Sequence, residues 1–137
     1  MVNIVEFLRA RLAADEAAAR ACAEVFPSPW DVSDRGHTAF VRADEPDYRV
    51  VVELEQSTAI DGWLGDRLDH IARHDPARVL REVEAKRRIV AHIAIVTRSP
   101  WPISVSSAYI ADLNHLLQLL ALPYADHPDF DPSWRVD

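Results

Sequence analysis

His70 and His74 are the residues whose types and spacing most clearly allow chemistry. At positions i and i+4 of a helix, two imidazoles project from one face, which is the spacing of helical zinc ligands. The glutamate of a metalloprotease motif is missing, because residue 71 is isoleucine. In the last turn of a helix, the same rings would instead interact with free backbone carbonyls and the helix dipole. We favour this capping role, with metal binding and proton transfer as the alternatives.

Other acidic and histidine side chains could complete a metal site. Asp126 and His127 would join the pair if the C-terminal segment folds back to it, although Asp-His-Pro is also an ordinary turn sequence. Asp15 and Glu16 interrupt the apolar face of the first helix, either as boundary residues or as metal ligands or acid/base groups in a polar pocket. The predicted ligands of a divalent metal such as zinc are therefore His70, His74, His127 and Asp126.

Several classes of catalytic site find no support. A single cysteine, Cys22, allows neither an internal disulfide nor a multi-cysteine zinc site. The three glycines form no phosphate-binding loop, and the serines at 104, 106 and 107 lie in no nucleophile elbow. No catalytic residue is assigned, and we lean towards a protein that is not an enzyme.

Apolar periodicity and turn residues predict an α+β fold over a single domain, residues 1–137, in the order α-β-β-β-α-α-α. The three strands should form a small antiparallel sheet, and from about residue 122 an irregular tail should be held by Tyr124, Phe130 and Trp134. The predicted helices cover residues 3–25, a segment from a Ser57/Thr58 cap to residue 74, 76–97 and 106–120; the strands lie near 30–32, 38–41 and 48–54. Because Gly62 and Gly65 weaken its first turns, the second helix could begin as late as Asp66.

The boundary between the second and third helices is the firmest local prediction. A residue before proline is pushed out of the helical region, so Asp75 should end one helix and cap the next, with Pro76 at its first position. We call this junction the elbow.

The distribution of charged and apolar residues along the chain indicates which kinds of partner it could bind. The chain carries −7, but residues 67–98 carry +4 and the remainder −11. The basic helix 76–97 could contact nucleic acid, or pack against the acidic remainder, which we favour. The last helix is rich in leucine, which suits a core position or a partner surface; its predicted inward residues are Tyr109, Ile110, Leu113, Leu116, Leu117 and Leu120.

No apolar run reaches membrane-span length and no signal peptide is evident, so we expect no membrane association and a cytoplasmic location.

Three segments, Phe7–Glu16, Asp69–Val90 and Leu119–Phe130, resemble an uncharacterised family of small proteins from actinobacteria and their phages. The resemblance covers about a third of the chain and implies a lineage but no activity. Many of the similar proteins carry cysteine pairs between the last two segments, which suggest a small zinc site. Residues 91–118 of this chain contain no cysteine, so that site cannot be carried over.

Taken together, these features favour a non-enzymatic accessory protein of phage or mobile-element origin. It would act through protein–protein contacts, with a homodimer as a natural state. The alternatives are a metal-binding protein or metal-dependent hydrolase using His70 and His74, and a nucleic-acid regulator using the basic helix.

Overall fold

The computed structural model describes residues 3–34, 38–43, 49–55, 64–98 and 106–136. The fold is α+β, with four helices and a three-stranded antiparallel sheet in the predicted order. The helices are α1 (Ile4–Val25), α2 (Leu64–Arg73), α3 (Pro76–Arg98) and α4 (Ser107–Ala121), and the strands are β1 (Trp30–Asp34), β2 (Thr38–Ala43) and β3 (Val50–Glu55). None of the helices in these ranges has both the length and the apolarity to cross a membrane.

The predicted turns at 34–36 and 43–47 and the predicted cap at Ser57/Thr58 lie wholly or largely outside the described residues. Two 3-10 helices, Leu122–Tyr124 and Pro132–Trp134, follow α4. The chain divides into two compact units: a helical unit of Met1–Asp15 with Val83–Asp137, and a sheet unit of Glu16–Glu82. α1 and α3 each contribute residues to both.

The sheet unit is built around β2, the central strand. Val32, Val41 and Val52 align across the three strands, so one sheet face carries a row of β-branched side chains. α2 covers this row with Leu68, which is fully buried beside Val41 and partly buried neighbours such as Ile71. The ladder shifts register between Val41 and Arg42. Because successive side chains of a strand point to opposite faces, Val32, Val41 and Val52 share one face of the sheet, and α2 covers that face.

The helical unit buries one apolar face from each of three helices. Helical spacing brings Leu8 and Leu12 of α1 onto one face, and Phe7 beside them is buried as well. The other buried residues of this unit are Val83, Val90, Ile93, Ala94, Leu113, Leu117, Ala121 and Phe130.

Some residues predicted to face inward do not. Tyr109, Ile110 and Leu116 of α4 are exposed, because only residues spaced by four, from Leu113 to Ala121, face the core. A helix that is apolar around more than half of its circumference has no periodicity that selects the buried face. Thr97 of α3, which the helical spacing of Val90 and Ile93 also predicts to face inward, is exposed, and its hydroxyl donates to the Ile93 carbonyl.

Candidate functional site

The elbow has the predicted geometry. The Asp75 carboxylate accepts the backbone N–H of Arg78 at 2.7 Å, and the Asp75 carbonyl accepts that of Val79 at 3.1 Å. Pro76, the first residue of α3, has no N–H to satisfy. The N–H of Ala77 donates to the Ser28 hydroxyl at 2.9 Å. Asp75 was found from the local sequence, but Ser28 was not, because it lies 49 residues earlier in the chain.

His70 and His74 lie side by side at the end of α2, with ring centroids 4.5 Å apart, and both are exposed. Nδ1 of His74 is 2.7 Å from the His70 carbonyl oxygen. A carbonyl can only accept, so Nδ1 carries the proton and caps the helix end, in line with the capping role favoured from sequence. Nε2 is then the nitrogen through which His74 could bind a metal.

Asp126 and His127 lie in the helical unit, whereas His70 and His74 lie in the sheet unit. Nε2 of His127 contacts the Arg11 guanidinium, and Nδ1 accepts the Asp129 backbone N–H at 3.1 Å. A metal bound to His127 would have to replace one of these contacts. Within the described ranges, no group of three or more His, Cys, Asp or Glu side chains is placed to hold a metal ion. The four-residue metal site stays a prediction.

Four polar residues meet where α1 contacts the tail: Arg11, Asp15, Tyr124 and His127. We call them the α1–tail cluster. The Tyr124 hydroxyl donates to the Asp15 carboxylate at 2.6 Å. Burial, and then the Asp15 carboxylate, raise the pKa of Tyr124 well above its ordinary value, whereas Arg11 acts in the opposite direction. The phenol therefore stays protonated at neutral pH and serves as a hydrogen-bond donor.

An aromatic cluster surrounds Phe7 beside these polar residues. The Phe7 ring lies 6.2 Å from Tyr124, 6.0 Å from Phe130 and 5.1 Å from Trp134 between centroids. The Arg11 guanidinium carbon lies 5.8 Å from the Phe7 centroid. Tyr124, Phe130 and Trp134 thus hold the tail, as predicted. Phe7 itself was missed, because the first helix is predicted from the i+4 spacing of Ile4, Leu8 and Leu12, which does not include it.

Asp15 and Glu16, the acidic pair of α1, have different roles. Asp15 accepts the tyrosine hydrogen bond, and Glu16 accepts from Arg20 at 2.7 Å and 2.9 Å. Each carboxylate therefore serves as a hydrogen-bond acceptor for another side chain. Arg11 and Asp15, one helical turn apart, are the local signal for the α1–tail cluster, but their tail partners lie more than a hundred residues away.

The basic helix α3 has ion pairs along its own length. The i,i+4 spacing of Glu84 and Arg88 predicts an ion pair, and Arg88 contacts Glu84 at 2.7 Å; Arg78 contacts Glu82 at 2.9 Å. These pairs at i and i+4 support the helix itself. A nucleic-acid role for α3 stays a prediction.

The outer side of α4 carries the clearest candidate for an interaction surface. Tyr109, Leu116 and Leu119 are 46%, 45% and 42% exposed, and Asp112 between them is exposed as well. At 100° per residue, these four residues fall within roughly 80° of the helix circumference. We call them the outer seam. Its centre lies roughly 120° from that of the buried face, Leu113, Leu117 and Ala121.

Comparison with known proteins identifies the family of this chain. A family described as a family of unknown function (DUF6221) matches residues 1–136. No curated protein and no solved structure matches the chain. Because the match spans nearly the whole sequence, this chain belongs to DUF6221, a family of unknown function.

Proposed function

We propose that this protein is a non-enzymatic accessory protein that acts through protein–protein contacts, and that the outer seam of α4 is its contact surface. A cytoplasmic location and a phage or mobile-element origin are parts of the same proposal. They rest on the sequence features and the resemblance described above.

The observation that carries this proposal is the exposure of large apolar side chains on α4. Single exposed apolar residues are ordinary, but aligned tyrosine and leucine side chains on a rigid helix are typical of a recognition surface. Tyr109 adds an aromatic anchor, a residue type enriched at protein interfaces. Helices with such a face bind partner helices or apolar grooves through residues spaced by three and four.

Site-specific photo-crosslinking in the host cell tests the surface directly. A photoreactive amino acid at Leu116 should give a covalent adduct with a protein. The matched control is the same substitution at Ala111, which is exposed about 120° around α4 from the centre of the outer seam. Adduct formation at neither position, or equally at both, would contradict the proposal.

A metal-binding function at His70 and His74 is the second candidate. It is supported by two exposed imidazoles on one helix face with their centroids 4.5 Å apart. Isothermal titration with Zn²⁺ should then show one equivalent bound, and His70→Ala should abolish that binding. An Asp126→Asn variant tests whether the tail contributes a ligand. Equal zinc binding by the wild type and His70→Ala would rule out the pair.

A further inference from the structure

We infer that the outer seam of α4 binds the outer seam of a second copy of this chain, with the two helices antiparallel. In this arrangement Asp112 of each copy pairs with His115 of the other. The inference rests on the proposed function, because it names the partner of the same surface.

The spacing of the seam is that of a helix–helix interface. Its residues follow one another at intervals of three, four and three, the pattern of the a and d positions of a coiled coil. A helix with this pattern presents a continuous ridge that packs against the same ridge of another helix at a small crossing angle. The three apolar members are all exposed and available for this packing.

Charge selects both the partner and its orientation. Asp112 is the acidic residue of α4 and His115 is its histidine; both are exposed. In a parallel pair the two Asp112 carboxylates would face each other and repel. In an antiparallel pair centred on Asn114, Tyr109 lies opposite Leu119, and Asp112 lies within one residue of His115 of the second copy. An imidazole N–H can then donate to each carboxylate, so the surface is self-complementary.

The size of the seam sets the expected affinity. A 15-residue helix is about 22 Å long at 1.5 Å per residue. A pair of such helices buries less than a standard protein interface, so we expect a dissociation constant on the order of 10 µM. At concentrations above this value, light scattering should give twice the 15.5 kDa mass of one chain.

Two matched variants test the surface in the purified protein. Leu116→Asp should weaken self-association at least about tenfold, because residue 116 lies opposite Asp112 of the second copy and the two carboxylates would repel. Ile95→Asp, at an α3 residue that is 70% exposed, introduces the same charge away from the seam and should leave self-association unchanged. Thermal melting checks that both variants are folded. A monomeric wild type, or equal effects of the two substitutions, would overturn the inference.

A charge exchange tests the orientation. His115→Asp should weaken the dimer about tenfold, because it places two carboxylates together, and adding Asp112→His should restore affinity to within about threefold. Failure of the double variant to recover would overturn the antiparallel pairing.

The mass of the crosslinked adduct at Leu116 separates the two proposals. An adduct of twice the chain mass supports both. An adduct of any other mass overturns the second copy as partner while leaving the proposed function standing. No adduct at all overturns both.

Discussion

Asp15 and Tyr124 are 109 residues apart in sequence, yet they form a 2.6 Å hydrogen bond in the helical unit. The bond joins α1 to the 3-10 helix that follows α4, so it connects the two chain segments that make up this unit. A half-buried carboxylate needs such a donor, because burial without a partner is unfavourable. Individual residues of the α1–tail cluster should therefore contribute measurably to stability.

Tyr124→Phe removes this donor and leaves the Asp15 carboxylate without it. We expect the free energy of unfolding to fall by about 1–2 kcal/mol, as measured by urea denaturation. Tyr109→Phe is the matched control, because the hydroxyl of an exposed tyrosine on α4 should contribute almost nothing. Equal effects of the two substitutions would show that the hydrogen bond is energetically unimportant.

The raised pKa of Tyr124 gives this contribution a pH dependence. The ordinary value is 10.0, and the folded-state value is higher. The folded protein therefore keeps this proton where the unfolded chain has lost it, so stability is full below about pH 10 and falls as pH rises further. The stability difference between wild type and Tyr124→Phe should shrink above pH 10 in urea titrations. Curves that stay parallel through the alkaline range would disprove this linkage.

At the scale of elements, Asp75 of the elbow separates α2 from α3 and caps the N-terminus of α3. Asp75 supplies a side-chain and a backbone acceptor to α3, and Ser28 supplies a third from the segment between α1 and β1. The first backbone donors of α3 are thus accounted for by these groups and by Pro76.

Replacement of the cap should reveal its energetic contribution. Asp75→Ala should lower the free energy of unfolding by about 1 kcal/mol, whereas Asp75→Asn, which keeps a capping oxygen, should lose much less. Urea denaturation at neutral pH measures both. If the two variants lose the same amount, the charge of Asp75 rather than its hydrogen bond stabilises the helix.

At the scale of the whole molecule, the helical unit depends on contacts between chain segments that are far apart. Phe7 contacts three aromatic residues of the tail, and it is 2% exposed. Buried aromatic residues contribute a large apolar area, and edge-to-face pairs add to it. The tail is therefore part of the core of this unit.

Phe7→Ala should be strongly destabilising, by about 3–5 kcal/mol, because it leaves a cavity among the tail aromatics. Limited proteolysis should then cut the chain within residues 122–136 faster than in the wild type. Ile95→Ala, at an exposed position of α3, should change neither stability nor cleavage. A protease-resistant tail in a folded Phe7→Ala protein would mean that other contacts hold it.

Local sequence determined the elements of this protein. The bounds of α1, α3 and α4, the antiparallel meander and the Asp75 cap all follow from signals within a few residues of one another: periodicity, proline, and capping side chains. These signals act through backbone sterics and short-range hydrogen bonds, which are the same in any fold that contains the segment. That is why α1 and the elbow could be located before any contact was known.

The tertiary structure alone decided which apolar residues are buried in the core and which polar residues contact one another. α4 is apolar on two sides, so its sequence could not distinguish Leu113, which is buried, from Leu116, which is exposed. The α1–tail cluster was equally hidden, because Asp15 and Tyr124 meet only after the chain has folded. Periodicity describes one helix at a time, whereas burial depends on what packs against it. The residues that make the candidate surface could therefore be identified only in the folded chain.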